Sequence, residues 1–228
     1  MIENYRPFRS AIAEEHYVAF VDILGFGKQV KDNYYHILNV YDEIINRIRR
    51  DEDWREDTLL RIFSDSLILS SKNIGKVISA VNLIHMLTLF DNCLIRGGIG
   101  YGNHIEVSDI GNLYVVSQAL VQAVEVEKSI KYPCVALHES IEVPLAWWLP
   151  DMPGISNFLR KIIYFEGINL INPFNIAWGT SASGRVRVLA TQYPEHNEKY
   201  NWFLRLYDAV KKDEPLIPPA IHHILYSY

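Results

Sequence analysis

The chain is poor in the features that mark secreted, membrane-bound or nucleic-acid-binding proteins. Only two cysteines, Cys93 and Cys134, occur in 228 residues, and their spacing fits neither a metal clip nor a redox motif. No apolar run reaches the roughly 20 residues of a membrane span, and the first residues lack the apolar core of a secretory signal. The net charge of −5 argues against a large nucleic-acid footprint. We therefore expect a cytoplasmic protein that binds neither membrane nor nucleic acid and whose cysteines are small buried hydrophobes.

The length and apolar content of the chain are sufficient for a sizeable core. It has 228 residues, of which 49% are hydrophobic, and neither an internal repeat nor a low-complexity segment divides it. We predict a single domain over residues 1–228, with a core over residues 15–138 and a C-terminal α/β extension over residues 139–228.

The stretch from Tyr17 to Gly27 is the one around which the core is organised. Tyr17–Val21 runs without a charge and is typical of a strand buried on both faces. Asp22 follows where the strand should end, and a carboxylate there must be paired, hydrogen-bonded or bound to a cation. The turn Gly25-Phe26-Gly27 can leave backbone N–H groups free to hold phosphate. Taken alone, this pattern also fits a capping aspartate followed by a plain glycine turn.

The elements that follow predict a known α+β topology. Apolar residues at helical spacing precede two short apolar runs around Ser64-Asp65, which are typical of a tight hairpin. A second helix and a glycine-rich strand come next, and the glycines indicate that another element packs closely on that strand. The order βαββαβ is the ferredoxin-like arrangement. After the first strand, we predict a helix over 34–48, strands over 59–63 and 66–70, a helix over 77–89 and a strand over 94–101.

The remaining chain gives weaker signals. We predict a turn and then a helix over 111–130, strands over 134–137, 161–165 and 185–189, and an amphipathic helix over 195–211. His222 and His223 are adjacent and point to different sides of the backbone, which does not favour a metal site. The charged run at 49–53 is expected to be a solvated helix end and loop.

The predicted topology brings distant charged residues together. The usual sheet order places the first strand between the third and fourth, antiparallel to both. Asp22 should then lie beside Asp65 in the hairpin turn and beside Arg96 at the start of the fourth strand, with Arg61 on the same edge. Converging carboxylates repel each other unless cations lie between them. Two divalent ions about 3.5–4 Å apart, bridging such acids, are the arrangement used for phosphoryl transfer.

With these residues in hand, the chain resembles the class III nucleotidyl cyclases and, within them, the Pycsar pyrimidine cyclases of bacterial antiphage defence. The resemblance covers roughly residues 15–138. Its carriers are Phe20–Phe26, Phe63–Ser66, Arg96–Gly102 and Ala123–Lys128.

The resemblance implies a cyclase palm with two metal ions, Mn²⁺ or Mg²⁺. Asp22 and Asp65 would hold the ions with help from the Ile23 carbonyl. The backbone of Leu24, Gly25, Phe26 and Gly27 would cradle the triphosphate of the nucleotide.

Four positions depart from the common class III pattern. Arg61 and Tyr114 occupy the base-reading positions that hold lysine and aspartate in adenylyl cyclases, which fits a pyrimidine substrate. Val121 and Glu125 replace the asparagine and arginine that assist the transition state. Arg96 or Arg61 would then supply the missing positive charge.

The function implied is a uridylate cyclase that converts UTP to 3′,5′-cyclic UMP and pyrophosphate. Its product would be a second messenger for antiphage defence, sensed by a downstream effector. The resemblance also implies a head-to-tail homodimer with active sites at the interface. Two alternatives remain open: a cytidylate cyclase making cyclic CMP, and a catalytically silent nucleotide sensor on the same fold.

Overall fold

The computed structural model describes residues 6–50, 57–109, 111–148, 156–175 and 177–221. Within these residues, an eight-stranded sheet with strand order β2-β3-β1-β4-β6-β8-β7 forms the frame, and β5 pairs with β4 beside this path. The strands are β1 (Glu14–Ile23), β2 (Leu59–Phe63), β3 (Ser66–Ser71), β4 (Ile95–Asp109), β5 (Asn112–Ser117), β6 (Val135–Leu137), β7 (Ile162–Phe165) and β8 (Ile168–Ile171). The helices are α1 (Phe26–Asp32), α2 (Tyr34–Arg50), α3 (Ile74–Phe90), α4 (Gln118–Ser129), α5 (Leu145–Trp148), α6 (Gly179–Gln192) and α7 (Asn197–Lys211).

The first four strands confirm the predicted α+β fold class and its βαββαβ order. β1 lies between β3 and β4 and is antiparallel to both. In this register Asp22 is opposite Ser66 on one side and opposite Arg96 on the other. The end of β1, the hairpin turn and the start of β4 therefore meet at one end of the sheet.

One face of the sheet carries the first hydrophobic core. Ala19, Val21 and Ile23 alternate along β1 toward this face, where they join buried residues of α2 and α3. Cys93 is buried in the same cluster, and Cys134 is buried in a second cluster formed with the C-terminal extension. Both cysteines are free thiols, as the sequence predicts.

The opposite face of the sheet is covered by α4 where β4 is rich in glycine. A side chain built on Gly98 would overlap the carbonyl oxygen of Ala123, and one on Gly100 would overlap that of Ala119. These glycines let the helix lie directly on the strand, which confirms the close packing expected from the sequence. The rest of this face, near β2 and β3, carries exposed side chains such as Phe63 and Leu59. We call it the open face.

β4 is longer than predicted and forms a hairpin with β5, which the sequence analysis missed. The sequence predicts a turn leading to the helix at Asn112–Ser117, but this segment pairs with β4 from His104 to Asp109. Its short length and mixed composition gave no clear alternation, and only the partner strand stabilises it.

The C-terminal extension continues the same sheet. β6 is parallel to β4, and β8 and β7 add antiparallel strands beyond it. The predicted strands at 134–137 and 161–165 and the helix at 195–211 are present. α6 and α7 close a second core around Trp202 and Phe203, both fully buried.

The predicted strand over 185–189 is wrong, because these residues belong to α6. The alternation Arg-Val-Arg-Val is typical of a strand whose two valines face a core. In the helix, Val186 is 0% exposed but Val188 is 53% exposed. Ala182, Val186 and Leu189 form the buried stripe instead, with the spacing of a helix.

Two further expectations concern other parts of the chain. His222 and His223, and positions 51–53 of the charged run, lie outside the described residues. Within the described ranges, no helix is both long and apolar enough to cross a bilayer.

Candidate active site at the end of the first strand

Two carboxylates meet at the end of β1. Asp22 is the next-to-last residue of the strand, and Asp65 lies in the turn between β2 and β3. The backbone fixes their approach, since the Ile23 amide donates a 3.0 Å hydrogen bond to the Asp65 carbonyl. Burial raises the pKa of Asp22 to about 6, with further contributions from the nearby charges of Asp65 and Glu127. The predicted convergence of Asp22 and Asp65 is confirmed.

Arg96 lies beside this acid pair and is held by a residue that the sequence analysis gave no role. Its Nε donates a 2.6 Å hydrogen bond to Glu127 Oε1 of α4, and its Nη2 makes an ion pair with the same carboxylate. The Nη2 atom is 4.0 Å from Asp22 Oδ2. Arg96 therefore bridges the acid pair and a buried glutamate.

Tyr41 of α2 supports the turn that carries Asp65. Its hydroxyl donates a hydrogen bond to the Ser64 carbonyl, and Ser64 has a left-handed backbone with φ of 57°. Burial, and then the nearby Asp65, raise the pKa of Tyr41, so the phenol stays protonated and keeps donating. This contact anchors the hairpin turn to the helix beneath it.

The glycine turn comes three residues after Asp22 in the chain. Gly25 has φ of 79°, a left-handed conformation that favours glycine, and precedes α1, which begins at Phe26. The Leu24 amide donates a 2.8 Å hydrogen bond to Leu94, which fastens the turn to the start of β4. The predicted phosphate-binding segment Leu24–Gly27 is thus adjacent to Asp22, and its role stays a prediction.

Arg61 does not join the acid pair, contrary to the predicted convergence of both arginines. Its Nη2 forms an ion pair with Glu106 Oε1 of β4, and its Nη1 donates a 3.1 Å hydrogen bond to the Leu60 carbonyl. The reason lies in β4, whose long C-terminal half provides a carboxylate that the shorter predicted strand did not include.

The other positions singled out by the resemblance lie on β5 and α4. Tyr114 of β5 packs edge-to-face against Phe8, with ring centroids 6.2 Å apart. Val121 and Glu125 are exposed on α4. Their roles in nucleotide binding or catalysis are not tested by these contacts.

Of the three residues near the site that the sequence did not predict, Glu127 could have been found from its position in the helix. Ala119, Ala123 and Glu127 are the buried residues of α4 and recur every four positions. A glutamate in an otherwise apolar stripe requires a buried partner, and Arg96 provides it. Tyr41 and Glu106 gave no such signal.

The acid pair suits a divalent ion that also binds phosphate. Among the residues that the structure describes, no three or more His, Cys, Asp or Glu side chains are grouped as they would be around a metal ion. Mg²⁺ commonly takes only one or two protein carboxylates and completes its shell with water and substrate phosphates. Burial, and then the negative charge of Asp65, raise the pKa of Asp22, and a bound cation would favour the ionised form against both effects.

Comparisons with known proteins find similar solved structures only. No family model matches the chain, and no curated protein matches it. The adenylyl cyclase CyaB from P. aeruginosa is 13% identical with a TM-score of 0.43, covering 56% of this chain and 78% of that one. The guanylyl cyclase domain of a RhoGC fusion protein from Blastocladiella emersonii is 16% identical with a TM-score of 0.45, covering 57% and 84%.

A third similar structure is a class III adenylyl cyclase-like ATP-binding protein from Pseudomonas aeruginosa. It is 11% identical with a TM-score of 0.43, and the match covers 57% of this chain and 34% of that one. Identities and TM-scores this low carry no argument about activity.

Proposed function

We propose that this protein is a nucleotidyl cyclase that converts UTP to 3′,5′-cyclic UMP and pyrophosphate. The observation that carries the proposal is the convergence of Asp22 and Asp65 at one end of the sheet, with Arg96 beside them. In this reaction the ribose 3′-oxygen attacks the α-phosphorus. The 3′-hydroxyl loses its proton, and the bond from the α-phosphorus to the oxygen bridging it to the β-phosphorus breaks.

The acids hold the cations in this proposal. Asp22 and Asp65, with the Ile23 carbonyl, would bind two Mn²⁺ or Mg²⁺ ions. Bound there, the ions would lower the pKa of the 3′-hydroxyl and offset the charge of the phosphates. Because Asp22 is only partly exposed, water would screen its attraction to a cation less than at the open surface.

Arg96 provides positive charge where negative charge develops on the α-phosphate. Glu127 holds the Nε and Nη2 atoms of its guanidinium, and the remaining N–H donors can reach a phosphate oxygen. A donor fixed before the reaction stabilises the transition state without reorganising. Arg96 thus substitutes for the arginine that Glu125 replaces.

The backbone at Leu24–Gly27 would receive the triphosphate, since it lies next to the acids. Arg61 and Tyr114 would restrict the base to a pyrimidine, because they fill more space than a lysine and an aspartate. We further propose that the protein acts as a homodimer. Its product would be a second messenger of antiphage defence, detected by a separate effector.

A catalytically silent nucleotide sensor is the second candidate. The exposed Val121 and Glu125 on α4 favour it, because neither side chain can assist the transition state as asparagine and arginine do. The retained acid pair opposes it, since a silent domain gains nothing from two repelling carboxylates.

Turnover of the four nucleoside triphosphates with Mn²⁺ tests the proposal. The wild-type protein should form cyclic UMP, and Asp22→Asn or Asp65→Asn should each reduce the rate more than tenfold, because each removes a metal ligand but little volume. Asp91→Asn is the matched control, because Asp91 lies at the same end of the sheet but pairs with His36.

Three outcomes contradict parts of the proposal. Either aspartate variant retaining more than about a tenth of the wild-type rate would reject the two-metal assignment. Cyclic AMP formed as readily as cyclic UMP would reject the choice of base. Tight nucleotide binding without any cyclic product would favour the silent sensor.

A further inference from the structure

A cavity lies where the C-terminal extension meets the core, close to the end of β1. Its volume is about 260 Å³. The core lines it with Leu24 and Gly25 of the glycine turn, with residues of α1 and with the segment before β4. The extension lines it with Leu189 of α6 and with residues of the segment Tyr193–Tyr200. Neither part forms the cavity alone, so a molecule that fills it contacts both.

The most buried apolar residues of the lining are leucines. Leu94 is 4% exposed and Leu189 is 1% exposed, and Leu24 packs against the second core. Burying apolar surface of a ligand against such side chains removes it from water and stabilises the complex. This part of the lining therefore favours a ligand with an apolar group.

Tyr200 adds a buried polar group to the same cavity. The residue is 8% exposed, and its hydroxyl makes no hydrogen bond with another residue that the structure describes. The oxygen is not fully enclosed, so a ligand can reach it. Burial, and then the nearby Tyr193 and Glu195, raise the pKa of Tyr200, so the phenol stays protonated and can donate. A ligand acceptor such as a carboxylate would satisfy this donor.

Some of the charged lining residues already have partners. His36 Nε2 is 3.5 Å from Asp91 Oδ1, and the Lys28 Nζ atom lies over the Tyr193 ring, 4.7 Å from its centroid. These contacts connect α1, α2 and the extension around the opening of the cavity.

Glu195 and Lys199 are charges of opposite sign next to Tyr200, and they do not pair with each other. Among the residues that the structure describes, neither has an ion-pair partner, and the same is true of Asp32 on α1. Lys199 is partly buried, so its charge is less well screened by water than that of a fully exposed lysine. A ligand that carries one charge of each sign can pair with both kinds of group.

We propose that this cavity binds an α-amino acid with a large apolar side chain. The apolar side chain would lie against Leu94 and Leu189. The carboxylate would accept hydrogen bonds from Lys199 and from the Tyr200 hydroxyl, and the ammonium group would pair with Glu195. A molecule with only one charge would leave one of these charged groups without a partner.

The bound amino acid would join the extension to the backbone of the acid site. Leu24 lies two residues after Asp22, and Leu94 lies two residues before Arg96. The Leu24 amide donates a 2.8 Å hydrogen bond to the Leu94 carbonyl, so a molecule seated here contacts both strand ends at once. The binding site goes beyond the proposed function and does not depend on it, because it involves neither the acids nor a nucleotide.

Titration calorimetry with four small molecules tests the class of ligand. Phenylalanine has a ring and both charges, 3-phenylpropanoate lacks the ammonium group, 2-phenylethylamine lacks the carboxylate, and alanine lacks the ring. Phenylalanine should bind at least about tenfold more tightly than each of the others, because each of them loses one set of contacts.

Tyr200→Phe and Lys199→Gln should each weaken phenylalanine binding about fivefold or more, because each removes a donor to the carboxylate. Lys211→Gln is the matched control and should bind as the wild type does, since Lys211 ends the same helix outside the lining. Thermal unfolding of the three variants verifies that they are folded.

Hydrogen exchange determines where phenylalanine binds. Amides in residues 24–33 and 189–200 should exchange more slowly when phenylalanine is bound, because these segments line the cavity. Amides of β2 should be unaffected, since no residue of this strand lines it.

Other results would overturn the amino-acid site. Equal affinity for phenylalanine and either singly charged analogue rejects a ligand of both charges, and absence of binding for all four molecules rejects the site. Unchanged affinity in folded Tyr200→Phe and Lys199→Gln, or protection confined to other segments, shows binding elsewhere. Displacement of phenylalanine by pyrophosphate with Mn²⁺ would assign the cavity to the phosphate site, whereas simultaneous binding of the two supports a separate site.

Discussion

At the scale of single residues, the site depends on an imbalance of charge around Asp22. Burial raises the pKa of this carboxyl group most, Asp65 and Glu127 raise it further, and Arg96 opposes them. The single guanidinium of Arg96 cannot balance the three acids Asp22, Asp65 and Glu127, so this group of four residues carries net negative charge. Arg96 interacts more closely with Glu127 than with Asp22, because Glu127 contacts both Nε and Nη2 of the guanidinium. Asp22 is thereby left able to bind a cation.

We predict that Glu127→Gln reduces kcat at least tenfold with little change in KM. The variant no longer holds Arg96 through an ionic contact, so the guanidinium can turn to Asp22 and lose its catalytic orientation. Removing one partner of a buried ion pair should also lower the free energy of unfolding by about 2 kcal/mol or more. Steady-state kinetics and urea unfolding measure the two effects.

Glu125→Gln is the matched control for this variant. It changes the same residue type on the same helix at an exposed position, so kcat and stability should both stay near wild type. A wild-type kcat in Glu127→Gln would show that Arg96 needs no positioning by this glutamate.

At the scale of elements, the contact of α4 with β4 determines where Glu127 lies. Gly98 and Gly100 leave no side chain between the strand and the helix backbone. This close approach brings Glu127 within hydrogen-bonding distance of Arg96, which is two residues from Gly98 on the same face of β4. The glycines of the strand thus act on the site through the helix.

We predict that Gly98→Ala and Gly100→Ala each lower the free energy of unfolding by about 1–3 kcal/mol, because the added methyl group overlaps the backbone of α4. Gly98→Ala should also reduce turnover, since the helix that carries Glu127 must move away from Arg96. Urea unfolding and the rate of cyclic UMP formation measure these effects.

Gly184→Ala is the control at the element scale. A methyl group there meets no atom within 4 Å, and alanine favours the helical backbone of α6. Its stability should be unchanged or increased by up to about 1 kcal/mol. Equal effects of Ala at positions 98 and 184 would contradict the close packing of α4 on β4.

At the scale of the whole molecule, one sheet joins two cores and leaves part of one face uncovered. The first core lies under α2 and α3, and the second lies under α6 and α7. The pairing of β4 with β6 makes them continuous. The open face near Asp65 retains apolar side chains, of which Phe63 is 53% exposed. A second copy of the chain would cover this surface in the proposed homodimer.

We predict that specific activity falls on dilution and that Phe63→Ser moves this fall to higher protein concentration. Burying an aromatic side chain stabilises an interface, and serine removes most of that apolar area. Sedimentation velocity and activity measured over the same concentrations test the link between assembly and turnover.

Val188→Ser is the matched control, because Val188 is also 53% exposed but lies on α6 of the extension. It should leave both assembly and activity unchanged. Full activity in a species that sediments as a monomer would contradict the proposed homodimer.

The amino-acid sequence by itself determined the elements of the core and the meeting of Asp22, Asp65 and Arg96. Helices and strands can be predicted because their apolar spacing is a local property of the sequence. The order βαββαβ then limits the ways in which the strands can be arranged in a sheet. The adjacent positions of Asp22 and Arg96 on β1 and β4 follow from that order.

Only the tertiary structure decided how the charges are partnered. The ion pairs of Arg96 with Glu127 and of Arg61 with Glu106 depend on the close packing of α4 and on the extended β4–β5 hairpin. The assignment of residues 185–189 to a helix depends on the second core, which buries Val186 and leaves Val188 in solvent. A local pattern carries no information about which distant side chain satisfies a charge or which face is covered, because packing of the whole chain sets both.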